Sequence, residues 1–171
     1  MKKYIWSLFL VSFLIACREE PKVEETTQDE TIVSYEPVAD QDLENAVIYE
    51  ANIRQYSGAG TMNEFTKDIP QLKELGVKII WLMPIFPISE KNRKAKGDLM
   101  VEDIQDMEER KKYLGSYYAV ADYTAINPDL GTEEDLDNLI ETAHENGMFV
   151  ILDWVANHTG WDNKWITEHP E

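Results

Sequence analysis

A single cysteine in 171 residues excludes an intrachain disulfide and any cysteine-built metal cluster. Positive charge is also scarce: 16 Lys and Arg stand against 33 Asp and Glu, a formal net charge of -17. Nucleic-acid binding requires clustered cations to neutralise phosphates, so no nucleic-acid partner is expected. No apolar run is comfortably long enough for a membrane span, which takes roughly 20 residues. No Gly-x-Gly-x-x-Gly follows a strand-like run, which disfavours a dinucleotide or P-loop site. What is present is a hydrophobic fraction of 43% with 11% aromatics, enough to bury one core. The surplus acid reads as a solvated surface.

Lys2 and Lys3, followed by "YIWSLFLVSFLIA", form the positive and apolar regions of a signal peptide. The run closes on "LIAC", which resembles the lipobox of a bacterial lipoprotein. Residues 1–17 are then a leader, and Cys17 is the lipid-bearing residue left after cleavage. An ordinary secretory signal with an incidental cysteine is the other reading. Residues 18–43 are rich in Glu, Thr and Pro and cannot offset their ordering entropy, so they read as a disordered acidic tether. The expected location is the bacterial cell envelope, with the protein attached to the membrane through lipid.

From residue 44 the texture becomes that of a folded domain. "AVIYEANI" predicts a strand near 46–53, "VKIIWLMP" a second at 77–84, and "MFVILDWV" a third at 148–155. Thr61 and Glu64 have capping-box spacing for a short helix, and Asp68 is a second N-cap candidate. Leu72 and Leu75 give the next helix an apolar face that Gly76 ends. Thr132 caps a further helix whose Leu136, Leu139, Ile140 and Ala143 share one side. Near-continuous apolar strands alternating with helices imply a parallel sheet, as in a doubly wound fold or a (β/α)8 barrel.

"ILDWVANHTGW", residues 151–161, then brings a carboxylate, an amide and an imidazole to the end of a buried strand. If Trp154 packs under the helices, alternation turns Asp153 to the opposite face, towards a barrel mouth. "DWVANH" resembles the first conserved region of the alpha-amylase family of glycoside hydrolases (family 13). "GVKIIWLMPIFP" and "GSYYAVADYTAINPDLGT" are similar to further family segments in the same order, so the resemblance covers residues 44–171. It implies the first three βα units of a (β/α)8 TIM barrel, truncated after strand 3.

By that resemblance Asp153 is similar to the Asp that orders the active-site floor, and His158 to the histidine that binds a sugar 6-hydroxyl. Tyr118 matches the tyrosine that stacks on the same sugar, although Tyr117 beside it is an alternative. Asn157 resembles a residue that in some members helps hold a structural Ca2+; a turn hydrogen bond is its other reading. No cofactor is otherwise required. Trp161 and Trp165 read either as a sugar platform or as aromatics packed on their own hairpin, and Asp122 and Tyr123 as structural.

Two departures stand out. Gly115 occupies the position where relatives that trim chain ends carry an Asp, and a charged insertion fills 95–113, with a helix expected over 101–113. In a βα loop that insertion should overhang the site mouth. The implied activity is retaining hydrolysis of α-1,4-linked glucans or maltooligosaccharides. The nucleophile and acid/base would lie outside these 171 residues, leaving them inactive alone. A non-catalytic glycan-binding lipoprotein on the same barrel is the alternative.

Overall fold

The computed structural model describes residues 38–169. The leader, Cys17 and most of the expected tether lie outside the described residues. Positions 40–43, read from the sequence as tether, belong to helix α1 (Asp40–Asn45), whose first turn carries Asp40 and Asp42. Acids there complement the positive end of the helix dipole. Asp42 also sits 3.6 Å from the Lys78 ammonium.

Strands β1 (Val47–Ala51), β2 (Val77–Leu82) and β3 (Phe149–Leu152) form one parallel sheet with β2 in the centre. Each is shorter than its apolar run, because the chain leaves the ladder before the run ends. Between β1 and β2 lie α2 (Ile53–Tyr56), α3 (Met62–Thr66) and α4 (Ile69–Glu74). The long connection after β2 holds a 3-10 turn at Val101–Asp103 and the one-turn helix α5 (Met107–Arg110). Helix α6 (Glu133–Glu145) leads into β3, and α7 (Trp165–Glu168) follows it.

Pairing register assigns the two faces of the sheet. Tyr49, Ile80 and Val150 are laterally aligned, as are Ala51, Leu82 and Leu152. Ala51, Ile80 and Leu82 are buried in a core with Met62, Phe65, Ile69, Leu139, Ala143 and Met148. That face carries the helices. The opposite face carries Ile48, Ile79 and Phe149 in one row and Glu50, Trp81 and Ile151 in the next; Ile79 is buried, whereas Ile48 and Ile151 are 53% and 44% exposed. The helix-covered face holds most of the core while the other is buried only at its centre, an asymmetry that suits a barrel wall.

The cap of α6 forms as expected. Thr132 Oγ1 accepts from the Asp135 amide at 3.2 Å, and Asp135 Oδ2 accepts from the Thr132 amide at 2.8 Å. The Thr132 amide, then the Asn63 side-chain amide, hold the Asp135 carboxyl below its ordinary pKa. Gly131, at φ +141°, leaves room for this return, since a Cβ there would lie 2.7 Å from Asp135 Oδ2.

Other local expectations give way to longer-range contacts. Thr61 precedes α3 without a side-chain cap, and Glu64 pairs with Lys67 instead of reaching back. Asp68 likewise caps nothing with its side chain; its Oδ2 accepts from the Tyr56 hydroxyl at 2.9 Å. Leu75 is 76% exposed because α4 stops at Glu74 and turns it outward.

The insertion is not the helix expected over 101–113. Arg110 donates through Nε to the Ile104 carbonyl at 2.6 Å and through Nη2 to the Glu102 carbonyl at 2.9 Å. These bonds fold the chain back on itself. Asp106, in extended backbone, then restarts it as α5 by accepting from the Glu108 amide. Val101 is the arm's buried anchor.

Candidate active site

Asp153 follows β3 directly, and its amide donates to the Leu82 carbonyl at 2.9 Å, continuing the ladder by one residue. The half-buried side chain therefore stands at the C-terminal end of the sheet. Tyr118 donates its hydroxyl to Asp153 Oδ2 at 3.2 Å, from a segment 35 residues earlier. Burial, the charge of Asp153, its hydrogen bond and the charge of Glu50 all raise the Tyr118 phenol above its ordinary pKa.

His158 completes the group. Its Nε2 lies 3.0 Å from the Tyr118 carbonyl, and its Nδ1 lies 3.3 Å from the Asn157 side-chain nitrogen. A carbonyl can only accept, so Nε2 carries the proton, and Nδ1 then accepts from the Asn157 amide. Both partners suit one neutral tautomer. Tyr118 thus links the residues singled out in the sequence, its hydroxyl bonded to Asp153 and its backbone carbonyl to His158, which in turn meets Asn157.

Asn157 takes the bond to its neighbour. A calcium ion needs six to eight oxygens, and among the described residues no group of three or more His, Cys, Asp or Glu could hold a metal. Among the described residues, one amide oxygen does not by itself make that site.

Tyr123 and Asp122, read from the sequence as structural, support this group. Tyr123 places its hydroxyl 2.7 Å from the Val155 carbonyl and 2.6 Å from that of His158, bracing the loop beneath the imidazole. Its ring stacks on Trp165 at 5.2 Å and meets Phe86 edge-on at 5.4 Å. Trp165 is therefore a packed aromatic, whereas Trp161 is 64% exposed. Trp154 does not pack under the helices; it is 77% exposed beside Tyr123. The bond to Tyr118, rather than burial of Trp154, shows where Asp153 points. Asp122 closes its own turn through the amide and hydroxyl of Thr124.

The segment that presents Tyr118 is pinned between two others. The Ser89 amide donates to the Ala119 carbonyl at 2.7 Å, and the Gly160 amide to the Val120 carbonyl at 2.7 Å. Gly160 permits this approach, since a Cβ there would sit 2.4 Å from Ser89 Cβ. Gly160→Ala should cost about 1–3 kcal/mol by overpacking, read as faster amide exchange at position 160. Unchanged exchange would show that Ser89 has room to yield.

A separate cleft of about 690 Å³ lies between the arm and residues 58–60 and 127–130, lined by Arg54, Arg93 and Arg110 among others. It shares no lining residue with the Tyr118, Asp153 and His158 group.

A parallel sheet with helices on one face, and polar groups gathered past its strand ends, fits the wall and mouth of a (β/α)8 barrel. The family model described as the alpha amylase catalytic domain matches residues 25–171. The chain belongs to the alpha-amylase catalytic-domain family. It is 30% identical to alpha-amylase SusG of Bacteroides thetaiotaomicron, over 96% of this chain and 22% of that protein. Alpha-amylase 3 of Dictyoglomus thermophilum is 33% identical over 71% of this chain and 21% of its own length. The crystal structure of an alpha-amylase from Lactobacillus plantarum superposes with a TM-score of 0.63 at 43% identity, covering 75% of this chain and 27% of that one. The chain thus spans between a fifth and a little over a quarter of the length of these relatives.

Proposed function

We propose that this chain contributes one side of a sugar-binding subsite to a retaining glycoside hydrolase acting on α-1,4-linked glucans or maltooligosaccharides. The observation that carries the reading is the linkage of the Tyr118 phenol, the Asp153 carboxylate and the His158 imidazole past the end of β3. An aromatic face suits the apolar face of a sugar ring, and an imidazole suits its hydroxyls. Tyr118 is assigned the stacking role, His158 the hydroxyl contact and Asp153 the ordering of the floor. Relatives named alpha-amylases support the substrate class. Others are named alpha-glucosidase or maltosyltransferase, which leaves hydrolysis and transfer to be separated by experiment.

The proposed reaction runs on carboxyl groups and needs no cofactor. A polypeptide carrying this chain and spanning the length of its relatives should release the α-anomer first from a maltooligosaccharide, followed by proton NMR. Initial release of the β-anomer would exclude retention, and binding without turnover would leave a glycan-binding protein.

The envelope location is proposed from the sequence. Labelled fatty acid should attach to the expressed precursor, and Cys17→Ser should abolish the label. Labelling that survives the substitution would remove the anchor.

A further inference from the structure

We propose that Arg54 is a positioning residue for this subsite, gripping Tyr117 and the Gly115 carbonyl so that Tyr118 is presented to Asp153 and His158. The inference rests on reading those three residues as a sugar subsite. It begins from the "YY" pair. The two tyrosines are the central residues of a turn that the Ala119 amide closes on the Ser116 carbonyl at 3.0 Å, so the way Tyr117 is held sets how Tyr118 is presented.

Tyr117 is the one tied. The Arg54 guanidinium carbon lies 3.9 Å from the centre of the Tyr117 ring, a cation–π contact. Arg54 Nε donates to the Tyr117 hydroxyl at 3.0 Å, and that hydroxyl donates to Asn52 Oδ1 at 2.7 Å. Both terminal nitrogens of Arg54 reach the Gly115 carbonyl at 3.3 Å. One planar group therefore holds the turn at two points two residues apart.

Gly115 adds its own restriction. Its φ is +76°, and a Cβ there would lie 2.8 Å from Arg93 Nε and 3.0 Å from Ile88 Cγ2. Asn52 follows β1 and caps α2 through the Gln55 amide. The clamp thus refers the 115–118 turn to the end of the first strand. Arg54 makes no ion pair among the described residues. Its charge and its fork serve Tyr117 and this turn, a geometry that the single ammonium of lysine does not reproduce.

The test uses a polypeptide that carries this chain and spans the length of its relatives. Arg54→Met should lower kcat on a long maltooligosaccharide by about tenfold to a hundredfold, as misplacement by ~1 Å does. KM, set by many sugar contacts, should change little. Arg54→Met combined with Tyr118→Ala should be no slower than Tyr118→Ala alone, because a residue acting through Tyr118 has nothing left to position. Should Arg54→Met not fold, Arg54→Lys, which keeps charge over the ring and loses the fork, makes the same comparison.

A fluorine-labelled tyrosine at position 118 gives a readout without substrate. Its phenol should ionise at lower pH once Arg54 is replaced, as contact with Asp153 is lost. An additive double variant, or an unchanged titration, would overturn the positioning role. If Tyr118→Ala itself leaves the kinetics untouched, the subsite reading fails and takes this proposal with it. If Tyr118→Ala is damaging and Arg54→Met is not, only the positioning role falls.

Discussion

Starch offered to the 171-residue chain by itself is expected to stay uncut, with no reducing ends above a blank. Retaining hydrolysis needs two carboxyl groups ~5–5.5 Å apart across the scissile bond. At this site the carboxylate is Asp153, and its hydrogen-bond partner is the Tyr118 phenol. Asp153 is assigned the ordering of the floor, and no carboxyl of this chain is assigned as nucleophile or acid. Glu50 acts on Tyr118 through its charge alone. The exposure of Ile48 and Ile151 on one face of the sheet adds a second expectation. Apolar surface without a partner favours association over clean two-state melting, so thermal unfolding of this chain should be broad. Starch hydrolysis by the chain, abolished by Asp153→Asn, would overturn both the inactivity and the supporting role given to Asp153.

The second large effect is expected from His158→Ala, measured in a polypeptide of the relatives' length. Both ring nitrogens of His158 already have partners, the Tyr118 carbonyl and the Asn157 amide. A sugar hydroxyl that binds the imidazole must displace one of them. The exchange is favourable only if the new hydrogen bond strengthens as charge develops on the sugar, which places its value in the transition state. Losing one such bond, worth roughly 1.5–3 kcal/mol, lowers kcat/KM on maltooligosaccharides by roughly tenfold to over a hundredfold. Circular dichroism should be unchanged, because the residue is exposed. Kinetics equal to the parent would return His158 to the status of an ordinary loop residue.

The sheet was legible because its three strands are apolar runs, and burial on a covered wall needs little more than that pattern. The cap of α6 was legible because Thr132 and Asp135 lie within one turn of each other. What could not be read depends on which of several available partners each side chain takes in the folded chain. Thr61 and Glu64 have the spacing of a capping box, yet Lys67 takes the glutamate. The charged stretch after 101 has helical composition, but Arg110 finds two carbonyls and folds it into a compact arm. The choice between Tyr117 and Tyr118 was open in the sequence. Arg54, 63 residues from Tyr117, ties that ring and its hydroxyl, which supports the proposed assignment of Tyr118.

The arm is also closed at its root. Arg93 donates to the carbonyls of Ile88 and Ser89 at 2.9 Å on one side and to that of Tyr113 at 3.1 Å on the other. One guanidinium thus fastens the two ends of the excursion together before the chain reaches Tyr118. Closing a loop costs only slowly more as it lengthens, and here the closure is made by a residue outside the arm's own tip. The segment between is a cassette whose root is held by Arg93 rather than by its own tip.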